Sequence, residues 1–326
     1  MQLRLLLTSL LALFSVSQTA RAWDPYGHMI VCHVAQERLN PEVKAAVEKL
    51  LPGVKHPTII YDFVTVGTWM DDIRDENPEI PFTGKFKPWH YITWGHQPSD
   101  ANPPLELGDD KESREGNIII GLKRALAVLK GGADSEIPDS SYALAILCHL
   151  VGDLHQPLHC ASHFYEGRNG KIENDRGGNR VVIDNAPQLQ LPLGVKSPMN
   201  LHAFWDAAYR GQFDPQTRQL VVNNAYSDYT VKDMALLKPL LVGLDRLAPS
   251  ADVSLATDFV AWGKEGNALA RDFAYPKLPR LKMNRYADVD EAYTKEAAQI
   301  AQTRLVLAGY RLAQLLNETL GTTSSQ

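Results

Sequence analysis

Residues 149–159, HLVGDLHQPLH, set three histidines and one aspartate into eleven positions, directly after the almost uncharged run SSYALAILC. An ionisable group in apolar surroundings is costly without a partner, so these side chains either satisfy one another or hold a ligand. On a helix His149 and Asp153 are four residues apart and share one face. The segment NLHAFWD repeats that spacing with His202 and Asp206. Imidazole nitrogen and carboxylate oxygen so placed make a good chelate for zinc. A buried His–Asp hydrogen bond explains one such pair equally well. Other stretches add to the set: WMDDIR brings Asp71, Asp72 and Arg74, WHYI places His90 among aromatic residues, and WDPYGH contains Trp23 and His28.

These side chains need elements to hold them. Asp24-Pro25 reads as an N-cap followed by proline at the first helical position, opening a helix to about Leu51 with His28 on its first turn. The apolar run TIIYDFVTVGTWMDDIR reads as a second helix ending near Arg74. Helical periodicity resumes over 116–130, stops at Gly131-Gly132 and returns over 140–155. Pro157 should end that helix and release His159 to point elsewhere. Residues 97–110, QPSDANPPLELGDD, read as a surface loop. Residues 160–198 form the longest irregular region, with a short hairpin around RVVI. Ile300, Leu305, Ala308, Leu312, Leu315 and Leu316 mark a long amphipathic C-terminal helix. With no repeat or low-complexity linker, the expectation is a mainly α fold: one helical domain with long irregular loops.

Arg4, the apolar run Leu5 to Val16 and Ala20-Arg21-Ala22 together read as a secretory signal peptide over residues 1–22. It is too short for a membrane span, and no other stretch is apolar for long enough. Trp23 would then be the first residue of a mature domain, 23–326, in a secreted or periplasmic location. Its new α-amine, with a pKa of about 7.7–8.0, could converge with His28 on one ion. Loss of Arg4 and Arg21 takes the formal charge from −5 to −7. Binders of polyanions usually display a basic stripe, so charge for a phosphate must come from elsewhere. Cys32, Cys148 and Cys160 are too few for a disulfide framework but leave room for one pair.

Taken in order, W-x(3)-GH, WxDxxR, WHYI, HxxGDxHQPLH, DRGGN and NLHxxWD resemble the S1/P1 nuclease family, zinc-dependent enzymes that cut single-stranded nucleic acid. The resemblance runs from Trp23 to about Asp206, and extends to bacterial zinc phospholipases C, which share the N-terminal Trp and a three-zinc arrangement. It implies three Zn²⁺. Asp71, His90, His149 and Asp153 would hold one; the Trp23 amine and carbonyl, His28 and a bridging Asp153 the second; His159, His202 and Asp206 the third. Six positive charges would then replace the missing basic patch.

The same resemblance implies an endonuclease acting on single-stranded DNA and RNA to give 5′-phosphorylated products, with 3′-nucleotidase activity on nucleotides and no stable protein partner. Asp71 would orient the nucleophile and Arg74 would face the charge developing on phosphate, although Arg74 also suits a plain helix C-terminus. Tyr91 would stack a base, and Gly177 and Asn179 would contact it. The sequence departs from the family at Thr93, where an acid is often found. The alternatives are a zinc-dependent phospholipase C and a non-catalytic zinc-binding protein. The HQPLH, GGN and LHxxWD run argues against the first. A shared carboxylate argues against the second, since structural zinc sites are closed tetrahedra. His33, His56, His96, His155 and His163 read as surface or core residues.

Overall fold

The computed structural model describes residues 23–74, 82, 84–96, 116–166, 170–183, 199–212, 237–238, 241–275 and 289–321. The expected leader at 1–22 and the expected loop at 97–110 lie outside them. Helix predominates in what is described, as expected.

Asp24 caps α1 (Pro25–Gln36), its carboxylate accepting from the Tyr26 and Gly27 N–H groups. The single helix expected as far as Leu51 is two. Asn40 is extended, at φ −61° and ψ 150°, because the ring of Pro41 disfavours helical backbone before it, and α2 (Pro41–Leu50) starts afresh. Nor does the second apolar run form the helix expected of it. It stays irregular up to a 3-10 turn, Thr65–Thr68, and a single α-turn, α3 (Trp69–Asp72). Its Thr, Ile and Val side chains lose rotamer freedom in a helix. Asp62 also draws the Val64 and Thr65 N–H groups into a side-chain turn.

Asn117 caps α4 (Ile118–Leu129), which closes at Gly131 with φ +91°, the left-handed residue that ends many helices. Asp139 caps α5 (Ser140–Leu154), in which every residue from Ser141 to Leu154 is buried. A helix enclosed on all sides belongs at the centre of a core. α5 packs against α1, α3 and α4 and against the 30-residue C-terminal helix. Pro157 does end it, and His159 sits in the 3-10 turn Pro157–Cys160 that follows.

Three short strands, β1 (Gly95–His96), β2 (Ser162–Glu166) and β3 (Ile172–Asn174), form a sheet in that order, β1 parallel and β3 antiparallel to β2. The RVVI segment supplies β4 (Val182–Ile183), antiparallel to β5 (Met199–Asn200) and in register Val182 to Asn200. The remaining α-helices among the described residues are α6 (Leu201–Ala207), α7 (Phe259–Leu269) and the C-terminal α8 (Glu291–Leu320). In α8, Leu305, Ala308, Leu312, Leu315 and Leu316 are buried and Ile300 is half-buried. It crosses α1 closely at Gly309, where a Cβ would stand 2.5 Å from Val34 and 2.9 Å from the Val31 carbonyl oxygen. All three cysteines are free and buried, so none forms the pair the sequence left room for. No helix among the described residues is long and apolar enough to cross a membrane.

Candidate metal centre

The two carboxylate oxygens of Asp153 face different histidines. Oδ2 lies 3.2 Å from His149 Nε2, one turn earlier on α5, and 3.1 Å from Nδ1 of His90, which ends the 3-10 turn Lys87–His90. Oδ1 lies 3.4 Å from Nε2 of His28 on α1. The His28 ring stacks on His149 with centroids 3.9 Å apart. His149 donates from Nδ1 to the Gly67 carbonyl at 2.7 Å, which points Nε2 into the cluster. Burial disfavours a charge on His149, yet Asp153 beside it, with Asp71 behind, raises its pKa to about 9. A cation is drawn to this spot.

Burial with no hydrogen-bond partner is the second sign. Both ring nitrogens of His28, both oxygens of Asp71 and Oδ1 of Asp153 are buried and unpartnered among the described residues. Desolvation without compensation costs several kcal/mol per charged group, so such atoms call for a ligand. Asp71 sits on α3, where Arg74 Nη1 approaches its Oδ1 to 3.8 Å. A four-residue turn has little dipole, which weakens the plainer reading of Arg74.

A separate group forms where the turn after α5 meets α6. His159 donates from Nδ1 to the His90 carbonyl at 2.6 Å, and His202 donates from Nδ1 to the Gly177 carbonyl at 2.7 Å. A carbonyl oxygen only accepts, so in each ring the proton is on Nδ1. Burial lowers His159 to about 4 and, with His159 adding to it, His202 to about 3, so both rings are neutral at neutral pH. Their bare Nε2 atoms nevertheless face each other at 3.1 Å. Two lone pairs repel at that distance unless a positive ion lies between them. Tetrahedral zinc with bonds of about 2.0–2.1 Å separates two nitrogens by about 3.4 Å. Asp206 Oδ1, 3.8 Å from His202 Nε2, closes the group. Its carboxyl is raised well above the usual range by burial, against the hydrogen bond from Gln156 at 2.7 Å.

Three groups therefore have their donor atoms within 4.8 Å of one another: His28, His149 and Asp153; Asp71, His90 and His149; and His159, His202 and Asp206. Imidazole and carboxylate donors, second nitrogens anchored to carbonyls and unpartnered buried oxygens all fit divalent metal. The structure thus gathers Asp71 and every histidine and aspartate singled out as a ligand.

Trp23 is buried beside them. Its indole donates to the Gly152 carbonyl at 2.8 Å and its ring meets the edge of Tyr209. Asp24 is held by Tyr209 at 2.6 Å and by Arg210 at 2.5 Å, and its N–H reaches the Asp206 carbonyl at 3.3 Å. Gly152 explains itself here: a Cβ would stand 2.9 Å from His28 Nδ1 and 3.8 Å from the Trp23 ring. Gly152→Ala is expected to displace the His28 ring and lower metal occupancy, read by metal analysis of purified protein. A full metal complement would mean the ring has room to move.

Above the histidines opens a cleft of about 720 Å³, with Arg74, Tyr91, Thr93 and Asn179 among its walls. Tyr91 is 48% exposed there. The DRGGN segment turns through three consecutive left-handed residues, Arg176, Gly177 and Gly178, at φ +56°, +62° and +85°. A Cβ on Gly177 would stand 2.6 Å from the Leu158 carbonyl oxygen, so glycine is required twice over.

Several supporting residues escaped the sequence reading. Gln156, inside HQPLH, was not singled out although it holds Asp206. The Asp24–Arg210 pair spans most of the chain. His155 proves to be a core residue, its Nδ1 on the Val151 carbonyl and its Nε2 accepting from Arg311 at 2.9 Å. Arg304 donates to the His155 carbonyl, and Glu265 binds both arginines. Two arginines seven apart on the apolar face of α8 were the available signal.

The sequence profile of the family described as S1/P1 Nuclease matches residues 23–321. Endonuclease 1 of Arabidopsis thaliana is 24% identical over 96% of this chain and 92% of its own. Nuclease P1 of Penicillium citrinum is 22% identical over 92% and 98%. Nuclease S1 of Aspergillus oryzae is 27% identical over 60% of this chain and 57% of its own.

Proposed function

The chain belongs to the S1/P1 nuclease family, and on that premise we propose a secreted or periplasmic zinc-dependent endonuclease. It hydrolyses phosphodiester bonds of single-stranded DNA and RNA to 5′-phosphorylated products and also removes 3′-phosphates from nucleotides. The observation that carries this reading is the set of buried nitrogen and oxygen donors without hydrogen bonds on His28, Asp71 and Asp153, gathered with His90, which lines the cleft together with His159 and His202. Asp71, His90, His149 and Asp153 would hold one Zn²⁺; Trp23 through its amine and carbonyl, His28 and Asp153 the second; His159, His202 and Asp206 the third. When bound, such ions supply Lewis acidity and lower the pKa of a water toward about 7.

The chain's own residues do the rest. Asp71 offers carboxylate oxygens that accept no hydrogen bond among the described residues, and so can orient the attacking water. Arg74, held near Asp71 and lining the cleft, meets the non-bridging oxygens of phosphate as their charge grows. Tyr91 presents an exposed ring on which a base can stack, worth about 1–3 kcal/mol per base, and stacking requires an unpaired strand. Asn179 donates to the Arg176 carbonyl at 2.8 Å, which fixes its amide at the rim beside Gly177, where both can contact that base. Thr93 lines the same cleft without the carboxylate that would accept from a base N–H.

One assay tests the reading. Purified protein is incubated with single-stranded DNA, RNA and phosphatidylcholine, with and without a chelator, and its metal content is measured. Cleavage of both nucleic acids, abolished by chelation, and zinc close to the three groups present are expected. Cleavage of the lipid alone would favour a phospholipase C, and zinc with no hydrolysis at all a non-catalytic metal protein.

A further inference from the structure

Three arginines line the cleft: Arg74, Arg176 and Arg180. Two are already engaged. Arg74 leans on Asp71, and Arg180 is held by Glu173 at 3.2 Å and the Asn174 carbonyl at 3.0 Å. Arg176 is exposed, and no carboxylate among the described residues pairs with its guanidinium.

The backbone of Arg176 is the opposite of free. Its N–H is capped by Asn174 Oδ1 at 3.0 Å and its carbonyl by Asn179 Nδ2 at 2.8 Å. It sits at φ +56°, in the left-handed region, where a non-glycine residue costs about 1–3 kcal/mol and glycine would sit at ease. The turn thus bears strain beneath an exposed side chain that no carboxylate among the described residues pairs with. The neighbouring Gly177 carbonyl accepts from His202, so Arg176 is one peptide from the third group of metal donors.

We infer that Arg176 binds the phosphate flanking the scissile one, so that the cleft grips two consecutive phosphates of a strand. This rests on the nuclease reading above. Arg74, Tyr91 and Arg176 line one cleft, so a strand with its reacting phosphate at Arg74 and a base on Tyr91 lies between the same walls as Arg176. A guanidinium fork is suited to grip it with paired N–H bonds. In a protein of net charge −5 with Thr93 in the cleft, such a contact supplies strand affinity that carries no base information. Arg176 would thereby make polynucleotides better substrates than minimal ones.

Dinucleotides separate the terms. Zinc-loaded wild type is given NpN, pNpN and NpNp, and kcat/KM is compared for cleavage of the internucleotide bond alone, read from the nucleoside and nucleotide products, with release of the 3′-phosphate of NpNp followed separately. One of the two phosphate-bearing forms should exceed NpN by about tenfold, the scale of one charge-assisted contact; which one tells whether the flanking phosphate lies 5′ or 3′. Arg176→Ala should bring that ratio close to one, and Arg176→Lys should retain part of it. Arg176→Gly removes the strain with the charge, so it tests the contact in a turn that is relaxed rather than damaged, and it should match Arg176→Ala. Zinc content and melting temperature are read alongside. An unchanged ratio in both the Ala and Gly variants overturns the inference alone. A wild-type ratio near one does the same. No hydrolysis of any dinucleotide by the wild type overturns the nuclease reading, and this inference with it.

Discussion

Asp153→Asn is expected to lower turnover by more than about 100-fold, beyond what loss of a merely supporting residue costs at a metal site. Its two oxygens serve two groups, one facing His28 and the other facing His90 and His149. An amide keeps the shape and loses the charge, and presents an NH₂ to one of the two groups. Metal analysis should therefore show about two ions lost. His202→Ala touches one group only and should lose one ion, with a smaller loss of rate. Equal metal content in wild type and Asp153→Asn would mean that Asp153 bridges nothing. The asparagine variant should remain folded, since α5 is fixed elsewhere by its apolar faces and by Arg304 on the His155 carbonyl. Circular dichroism checks that point independently of activity.

A protein that keeps Ala22 ahead of Trp23 should be almost inactive, again by more than about 100-fold, while the same chain beginning at Trp23 is active. The prediction rests on the proposed role of the Trp23 amine. The side chain of residue 23 is anchored by its indole on the Gly152 carbonyl, and Asp24 is held by Tyr209 and Arg210, so the backbone between them has a set place. An added residue converts the amine to an amide, which is a poor ligand near neutral pH. Cutting at that bond would then switch the enzyme on, outside the cell that made it. Full zinc content and wild-type cleavage of RNA by the version retaining Ala22 would remove the amine from the ligand set.

Much of the centre was legible because its spacing is local. His149 with Asp153, and His202 with Asp206, announce themselves by one helical turn, and Pro157 announces the break that turns His159 inward. The supporting layer was not legible for the opposite reason. Gln156 reaches Asp206 across 50 residues and Arg210 reaches Asp24 from 186 positions away, so no window of sequence contains both partners. The fold is not legible where apolar character comes without helix. The run before Asp71 is apolar enough for a helix, yet its β-branched residues and the Asp62 turn favour irregular backbone. In the stretch after α1, the proline at 41 outweighed a continuous helical pattern.

The crossing of α1 and α8 at Gly309 bears on how the chain is made. Val34 and Gly309 are 275 positions apart. At about 5–20 residues per second, roughly 15–55 seconds pass between synthesis of one and of the other. For that interval the helix carrying His28 has emerged without one of the surfaces it lies against, although α5 and the turn Thr65–Thr68, which it also packs on, are made earlier. The last helix made completes the seat of the first. Contacts so distant in sequence also slow the search for the native state. On the export proposed above, such a chain would meet a translocation channel before α8 has closed over the helix that carries His28.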